Sequence, residues 1–156
     1  MSSLVGEMIC YNNFMKHLIF RRSGDKCLEW GTFFLRVAVG AVFAAHGWQK
    51  ISGGVEGVSG FFGSVGIPAP TFFAYIVSYV EFLGGIALIL GLFTYWVSIL
   101  LAIIMVVALF TVHLPNGFYV NKGGYEFVLV LLASAATLNI LGPGRFALEN
   151  KLIKQN

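Results

Sequence analysis

FLGGIALILGLFTYWVSILLAIIMVVALFTV, residues 82–112, contains no charged residue, no histidine and no proline. As one helix these 31 residues would run about 46 Å at 1.5 Å per residue. A bilayer core is about 30 Å thick and is crossed by about 20 apolar residues. The chain must therefore turn inside the stretch, and Gly91-Leu92-Phe93-Thr94 is the place where glycine relaxes the backbone and a helix restarts. Working outward gives four spans. Residues 71–92 form the second, with Glu81 as its single charge, and residues 95–114 the third. Residues 125–141 form a short fourth span that opens with Glu126, and residues 31–51 form the first, carrying Arg36, His46 and Lys50. Pro115-Asn116-Gly117 and Gly142-Pro143-Gly144 supply the stops after spans three and four.

Composition agrees. Of 156 residues, 58% are hydrophobic and 11% charged, with mean hydropathy +0.83. A soluble domain carries about a quarter charged residues, so this chain cannot coat a water-facing surface. An ordinary soluble domain, a disordered chain and a nucleic-acid module are excluded. The expected fold is all-α, an integral-membrane four-helix bundle over residues 31–144, with the lipid bilayer as its first partner. The formal net charge of +3 contains no basic run. Lys16, Arg21, Arg22 and Lys26 precede span one, and Arg145, Lys151 and Lys154 follow span four, against Lys50 and Lys122 in the loops between. That asymmetry predicts a cytoplasmic N-terminal segment (1–30) and a cytoplasmic tail (145–156). Cys10 and Cys27 precede the spans without a CxxC spacing, so no thiol–disulfide relay is expected. The first residues lack a basic region and do not read as a signal peptide.

Two segments outside the spans have character. Met8, Tyr11, Met15 and Leu18 fall on one helical stripe, which suits an interfacial helix. Glycine recurs every third residue from Gly54 to Gly66, without the proline of collagen. The pattern predicts a short helix at the outer face with its glycine side pressed on a neighbour, broken before span two by Pro68 and Pro70.

An ionisable group at membrane depth costs several kcal/mol unless paired or hydrated. Arg36, His46, Lys50, Glu81, His113 and Glu126 are such groups. Counting along the spans puts Arg36 roughly 7 Å above the cytoplasmic end and Glu81 near the midplane, so the two are within reach of a buried ion pair. Such a pair either fixes helix packing or carries a proton or substrate. His46 and Lys50, four residues apart, share a face of span one, and His113 and Glu126 sit at the same outer end. These four, with Glu81 beneath, form a candidate pocket for an anionic or quinone-like head group, or for proton handling. The alternative is that each snorkels separately to interfacial water. No HxxxH or HxxE spacing supports a metal site. GxGxxG, GKS/GKT and GxSxG patterns are absent. Gly40, Ala44, Gly47, Gly84 and Gly85 read as tight helix contacts.

Leu35-Arg36-Val37-Ala38-Val39-Gly40 followed by His46-Gly47-Trp48-Gln49-Lys50, then Gly66-Ile67-Pro68, Glu81-Phe82-Leu83-Gly84-Gly85, His113, Glu126 and Gly142-Pro143-Gly144 resembles, in order and spacing, the DoxX family of small four-helix inner-membrane proteins. The likeness covers about residues 31–149. It implies a bacterial-type cytoplasmic membrane and a link to oxidoreductase assemblies that handle sulfur compounds or oxidative stress; one relative is the membrane subunit of a thiosulfate:quinone oxidoreductase. By position, Arg36, His46, Lys50, Glu81, His113 and Glu126 match the family's polar residues. Tyr95 stands where many members carry an arginine.

Three functions follow as expectations. The first is a membrane subunit of an oxidoreductase complex that binds a quinone or another lipid-soluble molecule in the outward pocket. The second is a small-molecule or proton-coupled transporter using Arg36 and Glu81, and the third a membrane scaffold for a soluble partner. The chain has no haem motif, cysteine cluster or flavin fingerprint. A redox role needs a diffusible quinone together with a soluble or membrane redox partner; a homo-oligomer is a further expectation.

Overall fold

A computed structural model describes residues 25–153 of the chain; the expected interfacial stripe from Met8 to Leu18 lies outside them, as do residues 154–156. The described residues are helical and contain no strand. Helix α1 spans Asp25–Ser52, α2 Val55–Ser64, α3 Pro70–Leu90, α4 Thr94–Ala108, α5 Glu126–Leu141 and α6 Leu148–Ile153. With its π-helical turn Leu109–His113 and 3₁₀ turn Leu114–Asn116, α4 forms one apolar rod. Three helical stretches are long and apolar enough to cross a bilayer: Leu28–Ser52, Pro70–Leu90 and Thr94–Asn116. The fourth, α5, has 16 residues, about 24 Å of helix. Helix α1 starts six residues before Gly31 because nothing between Asp25 and Trp30 breaks a helix.

The α1–α3 seam is built from glycine. A Cβ on Gly85 would overlap the backbone of Ala44 and stand 2.6 Å from the Gly40 carbonyl, and one on Gly47 would meet the backbone of Phe82. The two backbones therefore touch. Lipid supplies no hydrophobic drive between helices, so close dispersion contact takes its place. The facing pairs, Gly47 with Phe82 and Gly40 with Ile89, set an antiparallel register. The apolar core sits beside this seam and is formed by Val39 and Phe43 of α1, Leu88 of α3, Leu101 and Met105 of α4, and Val128, Leu131 and Leu138 of α5.

The turn between α3 and α4 closes at Gly91, with φ 68°. There the Leu92 N–H donates to Ala87 O (2.9 Å) and the Gly91 N–H to Leu88 O (3.1 Å), which satisfies the last carbonyls of α3. Phe93, at φ 50°, takes a left-handed conformation that costs a non-glycine residue about 1 kcal/mol, and Thr94 then starts α4. The segment after α5 folds back over this turn. Glu149 accepts from the Thr94 N–H (3.1 Å) and its own N–H donates to Gly91 O (3.1 Å). A carboxylate at the start of α4 satisfies an orphan donor and meets the positive end of the helix dipole. Residues 145–149 are thus packed on the bundle end rather than trailing from it.

One local expectation is corrected. Helix α2 forms, but its glycine side meets a neighbour only at Gly63, where a Cβ would stand 3.7 Å from Pro70 Cγ; one on Gly57 or Gly60 would find nothing within 4 Å. It docks instead through buried Val55 and through Ser59, whose Oγ lies 2.8 Å from Thr71 Oγ1. Glycine has no side chain to bury, so the adjacent Val55–Ser59 stripe, spaced by one helical turn, makes the contact.

Candidate functional site

A cavity of about 900 Å³ lies between α1, α3, α4 and α5 and is covered at one end by α2 and the Gly66–Pro68 link. Its wall is mostly apolar, with Phe43, Phe62, Val80, Met105, Val128 and Leu131 among the lining residues. Five polar side chains break that wall: His46, Lys50, Glu81, Thr111 and His113.

Lys50 and Glu81 form an ion pair, Nζ to Oε2. The α1–α3 register dictates it. Gly47 abuts Phe82, which sets Glu81 level with the last turns of α1. Glu81 is 2% exposed, and a carboxylate so buried is tolerated only with a partner. The Lys50 side chain keeps 28% of its exposure, its stem running along the cavity wall with the ammonium at the carboxylate. His113 closes the π turn, and its Nδ1 lies 2.7 Å from Gly123 O. A carbonyl can only accept, so Nδ1 carries a proton and Nε2 is the ring nitrogen not engaged by that carbonyl. The π turn itself widens the helix where Thr111, Val112 and His113 meet the cavity; such turns are frequent at functional sites. His46 also lines the cavity, with its ring centroid 5.9 Å from that of Phe127. Four of the expected residues, His46, Lys50, Glu81 and His113, thus share one chamber.

Two expectations are corrected. Glu126 does not line the cavity: its Oε1 accepts the Val120 N–H at 2.7 Å. At the first position of α5 its side chain is aimed back at the preceding loop, which it fastens. Nor does Arg36 pair with Glu81. Arg36 abuts Gly91, ten residues from Glu81 on α3 and so about 15 Å away along the helix. Counting in from each span end misjudged this depth because α1 starts at Asp25, which slides Arg36 relative to α3. Arg36 is 0% exposed. Its Nη2 donates to Arg145 O at 3.2 Å, its guanidinium lies 5.8 Å from the Phe33 ring centroid, and its Nε and Nη1 have no hydrogen-bond partner among the described residues.

The sequence reading also missed Phe43, Met105 and Thr111. Phe43 was within reach, since Phe43, His46 and Lys50 stand at i, i+3 and i+7, one helix face. Met105 and Thr111 carried no signal: both lie in the uninterrupted apolar run, where periodicity cannot separate a lipid face from a cavity face. Among the described residues, no group of three His, Cys, Asp or Glu side chains is placed to hold a metal.

Apolar membrane-length helices around a chamber with an ion pair in its wall define a small multi-pass membrane protein with an internal, largely apolar cavity. The family model for DoxX matches residues 31–114, and the chain belongs to the DoxX family. It is 37% identical over 130 residues to a Bacillus subtilis protein named "Putative oxidoreductase CatD", covering 83% of this chain and 92% of that protein. It is 34% identical over 131 residues to the "Uncharacterized membrane protein Rv3486" of Mycobacterium tuberculosis, with 78% and 80% covered. It is 26% identical over 125 residues to "Inner membrane protein YqjF" of Escherichia coli, with 80% and 94% covered. No solved structure matches the chain.

Proposed function

We propose that this chain is the lipid-embedded member of an oxidoreductase assembly in a bacterial inner membrane, and that its cavity holds a lipid-soluble small molecule of the quinone type. The observation that carries the reading is the convergence of Lys50, Glu81, His46 and His113 on one apolar chamber. Ligand sites are mostly apolar concavities with a few convergent polar groups. The chemistry fits: the Lys50 ammonium donates to a carbonyl oxygen, while Glu81 and the free nitrogen of His113 accept from a hydroxyl. The same head is held in its oxidised and its reduced form. The relative named an oxidoreductase and the relative named an inner-membrane protein support the redox role and the location. The electrons come from a partner protein, since the chain has no haem, flavin or cysteine-cluster signature. The charge distribution of the flanks favours the Lys50 end of the bundle as the non-cytoplasmic one. The transporter reading loses the Arg36–Glu81 pair on which it rested.

The test is binding of a short-chain benzoquinone to the purified protein in lipid nanodiscs. Lys50→Met and His113→Ala each weaken binding about tenfold, the value of a lost hydrogen bond to a charged or buried group. Equal affinity in both variants refutes the assignment.

A further inference from the structure

Resting on that reading of the cavity, we propose that its natural occupant has an uncharged polar head and a long hydrocarbon tail, and that it is admitted sideways from the bilayer through a gap between α3 and α4 in which the tail remains.

The gap follows from how the two helices part. They are joined by the tight turn at Gly91–Phe93 and meet at Gly84, where a Cβ would stand 3.3 Å from Val97 Cγ1 and 3.7 Å from Leu101 Cδ2. Farther from the turn the cavity lies between them. Phe73 and Ile76 of α3, and Leu100, Ile103 and Val107 of α4, line the cavity and are each more than a third exposed. A wall whose lining side chains stay so exposed is open rather than sealed. All five are apolar, so in a bilayer the opening gives onto hydrocarbon. The end of the cavity nearest Lys50 is bordered by Phe61 and Phe62 of α2 and by Ile67 and Pro68. The chamber is therefore polar at Lys50, Glu81 and the two histidines and apolar through the gap, which matches a ligand with one polar end and one hydrocarbon end.

The charge on the head follows from the ion pair. Lys50 and Glu81 neutralise each other. An anionic head that joined Lys50 would set a second negative charge beside the Glu81 carboxylate, whose side chain is 3% exposed, and leave an uncompensated charge in an apolar surround, a heavily unfavourable arrangement. A neutral carbonyl or hydroxyl adds to the pair without breaking it.

The experiment uses the full chain in lipid nanodiscs, with three probes: a benzoquinone bearing a decyl tail, the same benzoquinone without a tail, and decanoate. Ile103→Trp and Leu100→Trp each fill the gap from exposed positions. Leu83→Trp, exposed on α3 and not among the lining residues, is the control. The expected result is at least a tenfold loss of affinity for the tailed quinone in both gap variants, less than a twofold change in the control, and a tailless quinone that binds all four proteins alike. Decanoate displaces neither quinone. Full affinity for the tailed quinone in both gap variants, or an equal loss of both quinones there, overturns the lateral route. Displacement by decanoate overturns the uncharged head. Failure of both quinones to bind the unsubstituted protein overturns the cavity assignment itself, a result distinct from the others.

Discussion

Lys50→Met and Glu81→Leu remove opposite halves of one ion pair, and the structure predicts unequal costs. Removing Lys50 strands Glu81, whose side chain is 3% exposed and, among the described residues, bonds only to Lys50. Leaving one buried charge uncompensated costs about 3–5 kcal/mol. Removing Glu81 strands Lys50, but that side chain is 28% exposed and flexible enough to carry its ammonium toward the end of α1. The cost there is about 1 kcal/mol, that of an ordinary lost hydrogen bond. The double variant, apolar at both positions, should unfold within about 1 kcal/mol of the parent, because an apolar pair of similar volume replaces a buried ion pair at little or no cost. The coupling energy is then about 3–6 kcal/mol, far above what an exposed pair gives. The assay is reversible unfolding in mixed micelles with increasing SDS fraction, read by far-UV circular dichroism for all four proteins. Equal losses in the two single variants with additivity in the double would show that Lys50 and Glu81 do not depend on each other, and the account of the site would fail with it.

The glycines should divide sharply. Gly85→Val drives a side chain into the backbone of Ala44 and the Gly40 carbonyl and should cost more than about 3 kcal/mol, the upper range for overpacking, whereas Gly57→Ala, in open space on α2, should stabilise by about 0.5–1 kcal/mol through helix propensity; thermal unfolding of the two variants separates them. Glu149→Ala removes the acceptor from the Thr94 N–H and should cost about 1–2 kcal/mol, the value of a lost helix cap, with faster amide exchange at the start of α4 as its local signature. Glu126→Gln keeps an oxygen for the Val120 N–H and sits outside the cavity, so quinone affinity in nanodiscs should stay within twofold of the parent.

The helical membrane fold was legible because it rests on one-dimensional quantities. A charge-free run too long for one crossing demands a turn, and Gly91 is the residue within it that tolerates the turn's positive φ. The gathering of His46, Lys50, Glu81 and His113 was legible because each is a costly group that must find a partner or a cavity. The pairing among them was not. It depends on the register of α1 against α3, fixed by which glycines let the backbones touch; that register sets Lys50 beside Glu81 and leaves Arg36 level with Gly91, ten residues farther along α3. Glu126 misled for a related reason: depth alone put it with the others, while its place in the first turn of α5 aims the side chain backward. The chamber's apolar wall and its gap were invisible, since Leu100 and Ile103 read the same whether they face lipid, a cavity or both.

Arg36 and Lys50 show how two cations of one helix come to unlike surroundings. They lie fourteen residues apart on α1, nearly four turns, and so near one stripe of the helix. What differs is the neighbour each meets. Beside Arg36 stands the bare backbone of Gly91, with Ala147 packed against the same turn, and the returning C-terminal segment offers the Arg145 carbonyl. Arg36 does not line the chamber that Lys50 borders, and its bond to the returning segment braces the bundle end. Lys50 meets Glu81 at the edge of a 900 Å³ chamber. There the charge is balanced and yet open to an additional polar group. Charge is common to both residues, but Arg36 is fully buried while Lys50 keeps 28% side-chain exposure beside the chamber; the adjoining space is what the proposed ligand would use. The two ends of the bundle therefore divide the work. The Gly91 end, closed by Glu149 and Arg36, holds α3 and α4 together so that they can part at the far end, where the proposed gap and head-group site would lie.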